Sequence, residues 1–534
     1  MGRRVRAWSI LGLVGILTAT LAAGAAAVSA APTTVDVKVQ SFNILYGGDE
    51  VDYSTGHPHW CQDPAGCAET MERIAGAIRA SGADIVGMQE GTGNGCRIAD
   101  LLGWNCNGRL QVLSRFPLID PPGGDGVYIY AEIAPGRVMA LANVHLPSDP
   151  YGPYFPREGW TLDEVLALEH DLRMPAIQPQ LADLPPLAAA GIPVVLTGDF
   201  NSPSHLDWTA AVSTTRPVEV PYPIDWPVAR ALATAGFTDS YREVHPDPVA
   251  DPGCTWTPGY PRERKGVEVH DRIDWVLHAG PVAGLTSDVV GESAYDDTGI
   301  AVDPWPSDHR SVVSTLRVTP AVPPPYAAAT SRRLFAGDPQ VVRFGGAGPT
   351  GAVSIVPAGS PLSAAIATVP TGGSASGSLS FASGTWASGS YDAVLVAGGS
   401  IVGGRSPFHL YPAGTKPSVS VGKSTYLEGE PIEVAWRAAP GWKWDWLAIT
   451  KKGAGNVGQS ADCTGGYCGA GGYLLYTYTG TAVEGSTFFD STAQAGKTSW
   501  PLPHGWYRVA MYFDDGYSLL AVSQPFQVVA SPTP

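Results

Sequence analysis

Thr197-Gly198-Asp199-Phe200-Asn201 follows an apolar run, Ile192-Pro193-Val194-Val195-Leu196, and the change from one to the other is abrupt. Such a run reads as a buried strand that stops in a Gly-Asp turn. If the extended backbone continues past Phe200, Asp199 and Asn201 share one face while Phe200 anchors in the core. A carboxylate then stands beside an amide that can donate and accept. Gly-Asp followed by Asn is also ordinary turn chemistry, so the stretch gains meaning only from partners elsewhere in the chain.

The chain has 534 residues, more than one core usually serves, so about two to four domains are expected. Residues 1–30 form a unit of their own: Arg3, Arg4 and Arg6, an apolar stretch, then Val28-Ser29-Ala30. This pattern predicts a secretory leader with a small-residue cleavage site, and hence a secreted, extracellular protein. No later apolar run is long enough to cross a bilayer. The net charge of −16 becomes more negative once the leader's arginines are removed, which disfavours loose adhesion to nucleic acid or anionic lipid but leaves room for a local cationic cleft. Cys61 with Cys67, Cys96 with Cys106, and Cys463 with Cys468 form close pairs, and Cys254 stands alone. Export makes short-loop disulfides the natural expectation for the pairs and burial for Cys254.

Other strand ends carry chemistry. The alternating run from Val35 ends at Asn43, and residues 70–81 read as a short amphipathic helix. The apolar run from Ala83 ends at Glu90. An antiparallel pair around Ala134-Pro135-Gly136-Arg137 ends in Asn143-Val144-His145. Residues 162–181 predict a helix interrupted near Pro175 and Pro179. Cys254-Thr255-Trp256-Thr257 and the run from Arg272 through Asp274 to Leu277 read as a strand pair, separated by a cationic loop with Arg262, Arg264 and Lys265. Ser307-Asp308-His309 precedes a last alternating run. Each has an unremarkable reading alone: Asn43 as a cap, Glu90 as a loop acid, His145 as a core histidine. His57 and His59, beside Pro58 and Trp60, read as part of a disulfide-closed surface loop.

Pro320, Pro323, Pro324 and Pro325 mark a linker at 320–328. Beyond it the sequence repeats itself. Gly337-Asp338-Pro339 matches Gly429-Glu430-Pro431, Ser390-Tyr391-Asp392 matches Trp506-Tyr507-Arg508, and Ser406-Pro407-Phe408 matches Gln524-Pro525-Phe526. The repeat predicts two small β-sandwiches of immunoglobulin type, at 329–414 and 415–534. In the second, Trp442, Trp444, Trp446, Tyr473, Tyr476 and Tyr478 either pack the core or form a face for carbohydrate, cell wall or matrix.

Taken together, the strand ends hold hard oxygen ligands and two imidazoles. Carboxylates and amides suit a hard cation such as magnesium that also accepts phosphate oxygens, with histidine as donor or proton shuttle. The set Ser41-Phe42-Asn43, Gln89-Glu90, Leu113-Ser114-Arg115, Asn143-Val144-His145, Gly198-Asp199-Phe200-Asn201, Thr255-Trp256, Arg272-Ile273-Asp274 and Ser307-Asp308-His309 resembles the endonuclease/exonuclease/phosphatase superfamily, which has the fold of deoxyribonuclease I. The resemblance spans about residues 35–318. It implies an α/β four-layer sandwich, two packed mixed β-sheets flanked by helices, over a domain at 31–319, followed by the two all-β sandwich domains.

The resemblance also implies roles. Glu90, helped by Asn43 and Asp308, holds Mg2+, with Mn2+ or Ca2+ as substitutes. Asp199 activates water, Asn201 fixes the water or the phosphate, Asp274 orients His309, and His145 donates to a phosphate oxygen. Arg115, Arg262, Arg264 and Trp208 are the candidates for contacting substrate, with residues 151–160 and 204–208 as walls. The segment between Cys96 and Arg115 offers no convincing match for the acidic partner that the first catalytic histidine has in deoxyribonuclease I. The expectation is a secreted, monomeric, magnesium-dependent phosphoesterase acting on a lipid headgroup, nucleotide or polyol-phosphate. An extracellular nuclease, with nucleic acid as substrate only, and an inactive binding protein of the same fold are the alternatives.

Overall fold

The computed structural model describes residues 34–48, 64–257, 269–294, 296–453, 473–495, 499–516 and 518–531. The expected leader at 1–30, the loop with His57, His59 and Cys61, Arg262, Arg264, Lys265, Cys463 and Cys468 lie outside the described residues, as do the side chains of residues 64–68.

Two mixed sheets form the first domain. Its strands in chain order are β1 (Val35–Asn43), β2 (Ile85–Gln89), β3 (Asn105–Asn107), β4 (Val112–Ser114), β5 (Leu118–Ile119), β6 (Ile129–Ala134), β7 (Arg137–His145), β8 (Val194–Asp199), β9 (Thr238–Asp239), β10 (Asp274–Ala279), β11 (Val282–Gly291), β12 (Ile300–Ala301) and β13 (Ser311–Val318). One sheet runs β12-β11-β13-β1-β2-β4-β3 and the other β5-β6-β7-β8-β10-β9. Val37, Val39, Ile85 and Val312 from the first meet Ile129, Leu141, Val195 and Val276 from the second in a shared core. The helices Pro64–Ser81 and Gly95–Leu102 cover the outer face of the first sheet, and Leu162–Ala189 with Pro227–Thr234 cover that of the second. Alternating strands bury one row inward and the other under helices, which yields the expected four layers.

A buried polar seam registers the two sheets. Asn143 Nδ2 donates to the carbonyls of Met88 (2.6 Å) and Leu110 (3.0 Å), and its Oδ1 accepts from Gln89 Nε2 (2.7 Å) and Thr197 Oγ1 (3.0 Å). Gly87 lets them approach: a Cβ there would lie 1.8 Å from Thr197 Oγ1. A buried network of this kind favours one register over its neighbours.

The expected break near Pro175 and Pro179 does not occur. Leu162–Ala189 is one helix with Pro175, Pro179, Pro185 and Pro186 inside it. Tertiary contacts outweigh the lost N–H donors: Val165, Ile177 and Leu184 are fully buried, and the buried Arg173 pairs with Glu169 and donates to the carbonyls of Ser148 and Pro150 (3.0 Å each). A Thr161–Glu164 capping box starts the helix.

Residues 320–328 are not a free spacer either. Ala321 exchanges backbone hydrogen bonds with Val138, Tyr326–Ala329 is already a sandwich strand, and Tyr326 and Ala328 sit in the core under the second sheet. The two sandwiches share a strand arrangement, with five strands in the larger sheet of the first and seven in that of the second among the described residues. Three-stranded sheets (Tyr326–Ala329, Pro339–Gly345, Ser376–Ala382) and (Ser418–Val421, Ile432–Arg437, Gly485–Phe489) correspond strand for strand. In each, a short early strand pairs parallel with the last one, Arg333–Phe335 with Ser400–Tyr411 and Thr425–Leu427 with Phe526–Val529.

Candidate active site

The site lies where strands of both sheets stop. In β7 and β8, which are parallel, His145 pairs in register with Asp199; in β8 and β10, which are antiparallel, Asp199 pairs with Asp274. The same residue thus faces a histidine on one side and a carboxylate on the other. From the other sheet, Asn43 ends β1 and Glu90 follows β2. Asn43 Nδ2 donates to Glu90 Oε1 (3.1 Å) and Asp199 Oδ2 (3.0 Å), crossing between the sheets. Its Oδ1 is taken by the Leu45 amide (3.0 Å), so Asn43 presents N–H to the carboxylates and organises them instead of adding an oxygen. Glu90 and Asn201 both adopt positive φ (56° and 47°), conformations that a tight functional turn sustains at a cost.

His309 stands between the two aspartates. Its Nδ1 lies 2.8 Å from Asp274 Oδ2 and its Nε2 3.6 Å from Asp199 Oδ2. Ser307 Oγ donates to the Asn43 carbonyl (2.7 Å) and accepts from the His309 amide (3.2 Å), which ties the segment carrying Asp308 to the end of β1. Thr255 Oγ1 accepts from the amides of Ile273 and Asp274 (3.1 Å each), and Trp256 packs on the His309 ring at 4.9 Å. Burial alone would lower the His309 imidazole, but Asp274 and Asp199 hold it well above the usual range; burial raises Asp274 despite the imidazolium beside it. The pair is therefore a buried imidazolium–carboxylate with Nε2 directed at Asp199.

His145 Nε2 lies 3.6 Å from Asp199 Oδ2 and 4.0 Å from Glu90 Oε1. Burial would lower this histidine too, but Asp515, Asp199 and Glu90 outweigh it and raise it to about 9. Asp515 belongs to the second sandwich; its Oδ2 stands 3.6 Å from His145 Nδ1. No local signal in the sequence marks Asp515, because the contact joins residues 370 positions apart.

Glu90 Oε1 and Asp199 Oδ2 share the Asn43 amide and both face His145 Nε2, and Asp308 directly precedes His309; hard oxygen donors of this kind fit a hard divalent cation. Asp199, Asp274 and His309 also place ligand atoms within 4.8 Å of one another. In that trio the His309 Nδ1 is already committed to Asp274, which suits a proton relay.

The structure brings together Asn43, Glu90, His145, Asp199, Asn201, Asp274, Asp308 and His309. Asn201 Nδ2 donates to the Leu146 carbonyl (3.0 Å) and its amide to Asp199 Oδ1 (2.9 Å), so it braces the strand ends. Two substrate candidates are misplaced. Arg115 is exposed over the Trp104 ring, 3.6 Å from Asp84, which precedes β2 and so lies at the opposite end of that strand from Glu90. Trp208 is 2% exposed and donates to Asp271 Oδ1 (2.8 Å), in a core with Trp226 and Val165. Tyr151 also is buried, donating to Asp271 Oδ2 (3.0 Å), so the expected walls at 151–160 and 204–208 are partly core. A lone aromatic in a loop gives no sign of which way it faces until the tertiary contacts form. Cys96 and Cys106 form a disulfide, and Cys254 is buried with its Sγ 3.3 Å from the His270 carbonyl.

The model of the Endonuclease/Exonuclease/phosphatase family matches residues 41–309. An uncharacterised protein of Caenorhabditis elegans is 29% identical over 275 residues, covering 47% of this chain and 81% of its own. Among solved structures, an endonuclease/exonuclease/phosphatase from Beutenbergia cavernae is 20% identical, with 70% of this chain and 100% of that one covered, at a TM-score of 0.33. An AP endonuclease from Archaeoglobus fulgidus is 15% identical, with 52% and 98% covered, at 0.32.

Proposed function

The chain belongs to the endonuclease/exonuclease/phosphatase family, a family of phosphoric ester hydrolases that use divalent metals, and we propose that it is a secreted, magnesium-dependent phosphodiesterase working by in-line attack of water. The observation that carries the reading is the convergence of Asp199 with His309–Asp274 on one side and Glu90 on the other. A binding scaffold gains nothing from burying those charges together, since each costs desolvation unless it is used or paired.

Glu90 and Asp308, with Asp199 at hand, would hold the cation, which when bound neutralises a phosphate oxygen and polarises the phosphorus centre. Asp199, whose Oδ2 faces both histidines, accepts the proton of the attacking water. His309, kept protonated by Asp274, donates toward charge that develops on the phosphoryl oxygens. His145 provides a second donor from the opposite flank of Asp199. Asn43 and Asn201 keep these groups at their separations. Residues 1–30 and the Cys96–Cys106 disulfide support export.

The test is turnover by the purified full chain of bis-nitrophenyl phosphate, sphingomyelin, inositol phosphates, RNA and plasmid DNA, with magnesium, with manganese and with chelator. Chelator-sensitive hydrolysis of a diester is the expected result. Absence of turnover across the panel in both metals would overturn the reading.

A further inference from the structure

The second sandwich carries a turn that enters the catalytic domain. Asp514 Oδ2 accepts from the Gly93 amide (2.7 Å) and its Oδ1 from Gln111 Nε2 (2.7 Å), while Gln111 Oε1 accepts from the Gly91 amide (3.0 Å). Gly91 directly follows Glu90, so the turn fixes the loop on which that carboxylate stands. The fit is close: a Cβ on Gly93 would lie 2.6 Å from the Phe513 ring, and one on Gly108 2.1 Å from the Trp442 ring. Lys443 from the same sandwich donates to the backbone carbonyl of Asn143 (3.2 Å), two residues before His145.

The next residue, Asp515, reaches the site itself. Its Oδ2 faces His145 Nδ1 at 3.6 Å, and its Oδ1 accepts from Tyr478 Oη (2.7 Å). Its amide donates to the Trp444 carbonyl (2.8 Å), which fixes the turn from within the sandwich. Asp515 is therefore tied to its own domain at its amide and at Oδ1, while its Oδ2 meets the imidazole edge remote from Asp199 and Glu90. An imidazole whose Nδ1 faces a fixed carboxylate keeps its proton there and holds Nε2 in one direction.

We propose that the second β-sandwich is a working part of the active site, with Asp515 as the positioning residue that fixes the orientation of the His145 ring, braced by Tyr478. The aromatic strand Tyr473–Tyr478 then belongs to the rim of the phosphate cleft, beside the end of β7. The inference rests on the phosphoesterase reading above for its kinetic consequence but not for its geometry.

The test compares full-length wild type with Asp515→Asn, Asp515→Glu, Tyr478→Phe and, as a control on the exposed Lys423–Glu430 pair of the same domain, Glu430→Gln. Asparagine tolerates the positive φ of 60° at this position. For whichever diester the wild type hydrolyses, Asp515→Asn is expected to lower kcat by roughly tenfold to a hundredfold with KM and melting temperature unchanged. Asp515→Glu should regain part of that loss, Tyr478→Phe should show a smaller one, and Glu430→Gln none. Side-chain histidine NMR, assigned with His145→Gln, should show the His145 Nδ1–H signal of wild type displaced in Asp515→Asn. Wild-type kcat in Asp515→Asn, or a loss matched by destabilisation and not regained by glutamate, would overturn the inference. If wild type hydrolyses nothing, the phosphoesterase reading fails by itself. The NMR comparison then decides the pairing: an unmoved His145 signal overturns it.

Discussion

Asp199 and Asp274 are register partners on neighbouring antiparallel strands, and the His309 imidazole spans them, 2.8 Å from one and 3.6 Å from the other. Two carboxylates brought this close in a buried place repel unless a cation stands between them. The imidazolium is that cation, so the two acids share a single counter-charge.

Replacing Asp274 by Asn preserves shape but removes the charge that holds His309 protonated. The expected outcome is a fall in kcat of roughly a hundredfold to ten-thousandfold, with little change in KM. Steady-state kinetics against wild type, with circular dichroism as a check on folding, measures it.

Asp199→Asn and His309→Ala each remove a group to which the proposed mechanism gives a part in the reaction. Turnover should fall by at least about a hundredfold in either variant while secondary structure stays intact. Because the two act as a unit, the double variant should cost much less than the product of the single losses.

Glu90→Gln removes one of the negative charges available to a cation. The magnesium concentration for half-maximal activity should rise by at least about tenfold. A magnesium titration of activity tests this, and unchanged magnesium dependence would take Glu90 out of the metal site.

Arg272, beside Asp274, carries a stability prediction. It is fully buried and pairs with Asp239 Oδ2 (2.6 Å) and Asp207 Oδ2 (3.0 Å), while Arg242 pairs with Asp207 (2.6 Å). Asp239→Ala leaves that guanidinium short of a partner and should cost about 3–5 kcal/mol in urea unfolding at pH 7. Burial alone would raise the Asp239 carboxyl, but Arg272 and Arg242 hold it below its ordinary 3.8. A folded-state value below the unfolded one means that the stabilisation is complete above the unfolded value and lost as pH falls through the folded one. Wild type should therefore lose stability below about pH 4, and the variant should lose less over the same interval.

Much of the catalytic half was legible in sequence because its signals are local. Asp199, Glu90, His145 and Asn43 all end or follow apolar runs, and period-two alternation tells where a strand stops. The repeat behind the two sandwiches was legible for the same reason, as paired Gly-acid-Pro turns and aromatic strand motifs. Proline, by contrast, misled at both ends of its range. In 162–189 it sits within a helix that packing sustains, and in 320–328 it lies in a segment that pairs with Val138 and enters a core.

Residue order was thus enough to establish the fold class, the family and nearly all of the charged groups at the cleft, since each depends on short-range pattern. Side-chain direction and distant partners needed the folded chain. Trp208 and Arg115 have the right chemistry for a substrate contact but point into a core and away from the site. Asp515 has no motif around it, yet it meets His145 across 370 residues of sequence separation. A contact of that kind is fixed by how one domain's surface fits another, through Gly93, Gly108 and Gln111, and no periodicity in the chain encodes it.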